Sequence, residues 1–147
     1  MAPPRVGVLA LQGDFAAHMD LLAGLGVEAG KVRRPEELSG LDGVVIPGGE
    51  STTLQKLLLS TGLRPALLDY AARGRVMGTC AGAILMASAL EDAGGVKPLG
   101  LIEMTVRRNG FGRQVDSFED DVGVTVDLGE GPSPRGEFIR APRILQV

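Results

Sequence analysis

The sequence predicts an α/β domain built on a doubly wound sheet, and three observations carry that expectation. Short apolar runs alternate with segments of helical spacing along the first two thirds of the chain. The connections are glycine-rich, and 22 glycines in 147 residues far exceed the usual share of about 7%. A hydrophobic fraction of 44% with a net charge of −3 suits one domain, residues 1–147, with a well-buried core.

Residues 6–11 (Val-Gly-Val-Leu-Ala-Leu) form an apolar run closed by Gln12-Gly13-Asp14, as expected of a strand buried on both faces. Asp14 is placed to cap a helix on which Phe15, Met19, Leu22 and Leu25 recur at helical spacing, with Gly26 ending it. Residues 27–32 give a second, weaker strand, and residues 43–46 (Gly-Val-Val-Ile) a third, stopped by Pro47-Gly48-Gly49. Ser51 reads as the cap of a helix carrying Leu54, Leu57 and Leu58, and residues 65–73 as another helix. Residues 75–79 make a fourth strand that runs into a helix over 83–90. Beyond Leu99, residues 101–106, 122–126 and 137–139 read as strands without intervening helices, which predicts a mixed or antiparallel extension of the sheet.

Composition also excludes function classes. The 15 Lys+Arg against 18 Asp+Glu leave no basic surplus for nucleic acid. No apolar run approaches the roughly 18 residues of a membrane span, and the N-terminus lacks a signal-peptide pattern, so a cytoplasmic setting is expected. A single Cys forbids an internal disulfide, and one Cys with one His cannot supply a structural zinc tetrad, so no metal site is expected.

Gly78-Thr79-Cys80-Ala81-Gly82 is the sharpest chemical signal. A Gly-x-nucleophile-x-Gly segment between strand and helix describes a tight turn that lifts the side chain above the sheet. Helix N-termini favour anionic groups, and the Ala81 N–H lies where an oxyanion donor is wanted. The plainer alternative is a lone cysteine serving as a small buried hydrophobe. Pro47-Gly48-Gly49-Glu50-Ser51 also joins a strand to a helix, and its paired glycines can turn N–H groups outward as a nest for an anionic oxygen. In a doubly wound sheet both loops lie at the carboxyl edge of the strands, so together they form a candidate oxyanion hole. Arg107, Arg108 and Arg140 lie on two polar segments of the last third and suit a substrate carboxylate, the plainer alternative being solvated surface arginines. His18, the sole histidine, sits within the first helix, where a solvated helix face is the expected setting.

These pieces, with Asn109-Gly110-Phe111-Gly112-Arg113-Gln114, Ser117-Phe118-Glu119 and Phe138-Ile139-Arg140-Ala141-Pro142, closely resemble the triad-type (class I) glutamine amidotransferases. Among these, the likeness is to the glutaminase subunits of pyridoxal 5′-phosphate synthases, and it runs over the whole chain. The resemblance implies a flavodoxin-like fold with an antiparallel extension, and hydrolysis of L-glutamine to glutamate and ammonia without a cofactor. Cys80 would be the nucleophile, and Gly49 and Ala81 would hold the oxyanion. Gly48, Gly49, Glu50, Arg108, Ile139 and Arg140 would bind glutamine. Gln12 and Gly13 would face a synthase subunit in a hetero-oligomer that receives the ammonia. The family's Phe-His-Pro-Glu-like motif, which completes the triad, has no match here, so the domain is expected to be truncated at its C-terminus. The rival expectation is a non-catalytic interaction module of the same complex.

Overall fold

The computed structural model describes residues 1–122, 131, 134–138 and 140–147. Its first half is a parallel sheet of β1 (Arg5–Leu9), β2 (Glu28–Val32), β3 (Gly43–Ile46) and β4 (Arg75–Gly78) in the order β2-β1-β3-β4. In register, Val8 of β1 lies between Lys31 of β2 and Val45 of β3. The inner strands are continuous apolar runs because helices cover both faces of such a sheet, and Val8, Leu9, Val44, Val45 and Ile46 are buried. The edge strands β2 and β4 carry more polar residues, and Met77 of β4 is exposed.

Four helices flank this sheet: α1 (Phe15–Gly24), α2 (Ser51–Ser60), α3 (Leu63–Ala71) and α4 (Ala81–Met86). Leu54 and Leu58 on α2 and Leu63 and Leu67 on α3 repeat every fourth residue and are fully buried, each contributing about 1.5–3 kcal/mol. Asp14 caps α1 as expected, its carboxylate accepting the Ala17 N–H at 3.4 Å. The apolar stripe of that helix is weaker than its spacing suggests. No residue of α1 is fully buried, and Leu25 is exposed.

Several expected boundaries move, and the helix expected over 65–73 is Leu63–Ala71, because the turn at Thr61-Gly62 lets it start before Pro65. The cap of α2 is Glu50, and Ser51 is the first helical residue. The helix expected over 83–90 stops at Met86, and Ala87–Glu91 becomes strand β5. The cause is tertiary. Leu99, Gly100 and Leu101 donate their N–H groups to the carbonyls of Leu85, Ala87 and Met86, so the returning chain satisfies the end of α4 and hands the next residues to a sheet. That ending carries no glycine or proline for a sequence reader to find.

The extension is mixed. β5 pairs in parallel with β6 (Ile102–Arg107), and β6 pairs antiparallel with β9 (Arg143–Gln146). β7 (Phe118–Asp121) and β8 (Arg135–Phe138) make a separate antiparallel ribbon. The strand expected over 122–126 is not found at Val122, which follows β7, and its remainder lies outside the described residues. Phe118 and Phe138 face each other across the ribbon with rings stacked at 4.7 Å, and Phe111 meets them edge-on at 6.0 and 5.0 Å. Such pairs are worth about 0.5–1.5 kcal/mol each beyond burial. Gly110 donates to the Ala141 carbonyl at 3.1 Å, so this aromatic cluster and that bond bring Asn109 and Arg140 together. Among the described residues, no helix is long and apolar enough to cross a membrane.

Candidate active site

Three loops converge at the carboxyl edge of the parallel sheet, where ligands of such sheets bind. Gln12-Gly13 follows β1, Pro47–Glu50 follows β3, and Thr79-Cys80 follows β4. Because β3 and β4 are hydrogen-bonded neighbours, the last two loops are adjacent.

The turn at Cys80 is the elbow its glycines predict. Cys80 has φ 47° and ψ −108°, a sparsely populated conformation that costs about 1–3 kcal/mol, and its side chain is exposed. The plainer reading as buried core filler is therefore set aside. Gly82 is required by close approach: a Cβ there would lie 2.0 Å from the Ile46 carbonyl oxygen. Ala81 opens α4, where first-turn N–H groups have no intrahelical acceptor.

The facing loop is braced from below. Gln12 accepts the Glu50 N–H on its Oε1 at 3.1 Å and donates from Nε2 to the Gly48 carbonyl at 3.5 Å. Gly13 fits against the same carbonyl, since a Cβ there would lie 1.8 Å from the Gly48 oxygen. Gly48 in turn faces Cys80, to whose Cβ its own would come within 3.2 Å.

Between the loops is an open cavity of about 240 Å³, lined by Gly49, Glu50, Ser51, Cys80, Ile84, Arg108, Asn109 and Arg140. That is below the roughly 300–1,000 Å³ typical of drug-sized ligands and suits a single amino acid. Arg108 is nearly buried, with 11% of its side chain exposed. It donates from Nε to Ser51 Oγ at 3.1 Å and from Nη1 to the Ala93 carbonyl at 2.9 Å, and its Nη2 lies 3.6 Å from Glu50 Oε1. Arg140 adopts φ 45° and makes no hydrogen bond or ion pair among the described residues.

The family model for the SNO glutamine amidotransferases matches residues 8–147. The chain belongs to that family. It is 50% identical over 147 residues to a protein of Cutibacterium acnes named pyridoxal 5′-phosphate synthase subunit PdxT, covering 98% of this chain and 71% of the relative. A Dehalococcoides mccartyi protein of the same name is 52% identical over 142 residues, covering 95% of this chain and 72% of the relative. A crystal structure of a glutamine amidotransferase, 45% identical, superposes with a TM-score of 0.85 over 97% of this chain and 74% of its own. The flavodoxin-like fold expected from the sequence thus holds for this SNO family member.

Of the residues expected to act, the cavity gathers Gly49, Glu50, Cys80, Arg108 and Arg140; Gly48 packs against Cys80, and Ala81 is buried at the start of α4. Ile139 lies outside the described residues. Sequence reasoning did not assign Ser51, Ile84 and Asn109 to the cavity. Ser51 and Asn109 stood inside motifs already singled out, whereas nothing local marks Ile84. The expectation for His18 is corrected. Its side chain is half-buried, and Nε2 lies 3.1 Å from Thr79 Oγ1, a partner 61 positions away that the helix pattern does not reveal.

Glu50 has a second task as the cap of α2. Burial raises its carboxyl pKa, but hydrogen bonds from the Thr52 hydroxyl, the Thr53 and Thr52 N–H groups and the Thr53 hydroxyl outweigh it, bringing 4.5 down to about 2. Replacing Glu50 with alanine is expected to lower stability by about 0.5–2 kcal/mol, the usual cost of a lost cap. A carboxyl lowered on folding stabilises above its unfolded pKa and loses that contribution as pH falls through the folded one. The stability gap between parent and Glu50→Ala, followed by denaturant unfolding, should thus hold from pH 7 to about 4.5 and shrink towards pH 2.

Proposed function

We propose that this chain is the glutaminase component of a pyridoxal 5′-phosphate synthase, acting in the cytoplasm beside a synthase subunit in a hetero-oligomer. Membership of the amidotransferase family and relatives of about 50% identity bearing that subunit's name support the reading. The observation that carries the chemistry is the strained, exposed Cys80 facing the Gly48–Glu50 loop across a cavity with charges of both signs. A free α-amino acid presents an ammonium and a carboxylate. The Glu50 carboxylate suits the first, and Arg108 and Arg140 suit the second. Ile139, beside Arg140, is assigned to the same pocket by family resemblance. Glutamine enters with its side-chain amide towards Cys80.

The sulfur attacks the amide carbon, and the carbonyl electrons move onto oxygen. The N–H groups of Gly49 and Ala81 receive that oxyanion, a role worth about 2.7–4 kcal/mol per donor in a comparable site. Collapse expels the amide nitrogen, which takes up the proton given up by the thiol and leaves as ammonia, with a thioester remaining on Cys80. Water then attacks the thioester carbon, and glutamate leaves as the thiol is restored. Among the described residues no histidine or carboxylate is hydrogen-bonded to Cys80; His18 is engaged with Thr79. Gln12 and Gly13, which pack against the oxyanion loop, are assigned to the synthase interface by family resemblance. The lone cysteine suits a reducing compartment.

Glutamine labelled with ¹⁵N at the amide tests this reading. Supplied to the complete protein together with a synthase subunit, a pentose phosphate and a triose phosphate, it should yield pyridoxal phosphate carrying the label. Unlabelled product, or label appearing equally without this chain, would refute it.

A further inference from the structure

We propose that His18 is a positioning residue for the thiol elbow, acting through its hydrogen bond to Thr79. The inference rests on the reading of Cys80 as nucleophile. A backbone held in a sparsely populated conformation persists only where its surroundings over-determine it. Around Cys80 those constraints come from known directions. The Thr79 N–H donates to the Ile46 carbonyl at 3.1 Å, which ties the elbow to β3, and the Gly82 N–H donates to the Thr79 carbonyl at 2.8 Å, which ties it to α4. Both act on the main chain. The Thr79 side chain is held, among the described residues, by His18 Nε2 at 3.1 Å, a contact across 61 positions of sequence.

This contact gives α1 a role that its packing alone does not explain, since none of its residues is fully buried. Gln12, just before the helix, holds the oxyanion loop through the Glu50 N–H. His18, within the helix, holds the residue preceding the nucleophile. One segment therefore grips both halves of the site and fixes the distance between thiol and oxyanion donors. An imidazole suits the task because either ring tautomer can pair with a hydroxyl, as acceptor or as donor.

The test uses a chloromethyl-ketone analogue of glutamine with the complete protein and its synthase subunit, separating the inactivation rate constant from the half-saturation concentration. A displacement of about 1 Å at a reacting group can cost roughly 100-fold, so His18→Ala is expected to slow inactivation at least about tenfold with half-saturation changed less than about twofold. Thr79→Val should do the same. The double variant should be no slower than either single one, since each removes the same hydrogen bond. His18→Gln, whose amide can still pair with the hydroxyl, should recover most of the rate. An unchanged rate in His18→Ala, with label still confined to Cys80, would overturn the inference and leave the nucleophile intact. Multiplying effects in the double variant would overturn it too, because the two side chains would then act separately. Label persisting in a Cys80→Ala control would instead sink the reading of the nucleophile.

Discussion

Replacing Cys80 with alanine is expected to abolish glutamine hydrolysis and to remove all covalent labelling by a glutamine-analogue electrophile, measured by intact mass. Cys80 is the only thiol, it is exposed at the top of a strained turn, and it borders the cavity. Activity should fall to the background of the uncatalysed reaction, because no other side chain is placed to form the thioester. Serine at the same position should fail as well. Its hydroxyl would occupy the same place but needs far stronger help from a base than a thiol does. A variant lacking the thiol that still accumulates one label would move the chemistry elsewhere in the cavity.

The second large effect is expected at Arg108. Arg108→Ala should weaken glutamine binding by about 1.5–3 kcal/mol, the usual scale of a charge-assisted hydrogen bond, as read by calorimetry. The reason is more than charge. Arg108 links Ser51 and Glu50 to the Ala93 carbonyl, so its removal takes away the proposed ligand contact and also a brace beside the Glu50 carboxylate. Lysine should not restore binding, because a single ammonium cannot reproduce a planar fork with donors in three directions. Unchanged affinity in both Arg108→Ala and Arg140→Ala would remove the two arginines from the substrate pocket.

The parallel sheet and its site-bearing loops were legible because their signals are local. Apolar runs ending in Pro47-Gly48-Gly49 and Gly78-Thr79-Cys80 announce both strand ends and the loops that border the cavity. What escaped depends on contacts between distant segments. The end of α4 at Met86 is set by residues 99–101, and only the chain's return could reveal it. His18 reads as a solvated residue because a helix does not declare which neighbour it leans on, and Thr79 is 61 positions away. The aromatic cluster of Phe111, Phe118 and Phe138 is equally invisible along the chain, although each of its members lies in a segment on which the family resemblance was drawn. Arg108 was marked as a ligand for substrate, yet its role as a brace depends on Ala93 and Ser51 being close by.

The backbone at Cys80 bears on how this sequence could change over time. A residue with a Cβ at φ 47° is a standing burden on a domain whose whole stability is a margin of about 5–15 kcal/mol. Glycine would fit that turn more easily, so mutation screened for folding alone would drift towards it, at the expense of the thiol to which the proposed mechanism assigns the chemistry. For the same reason a stability-driven redesign of this domain that treats position 80 as free to optimise would remove the proposed nucleophile while improving the protein.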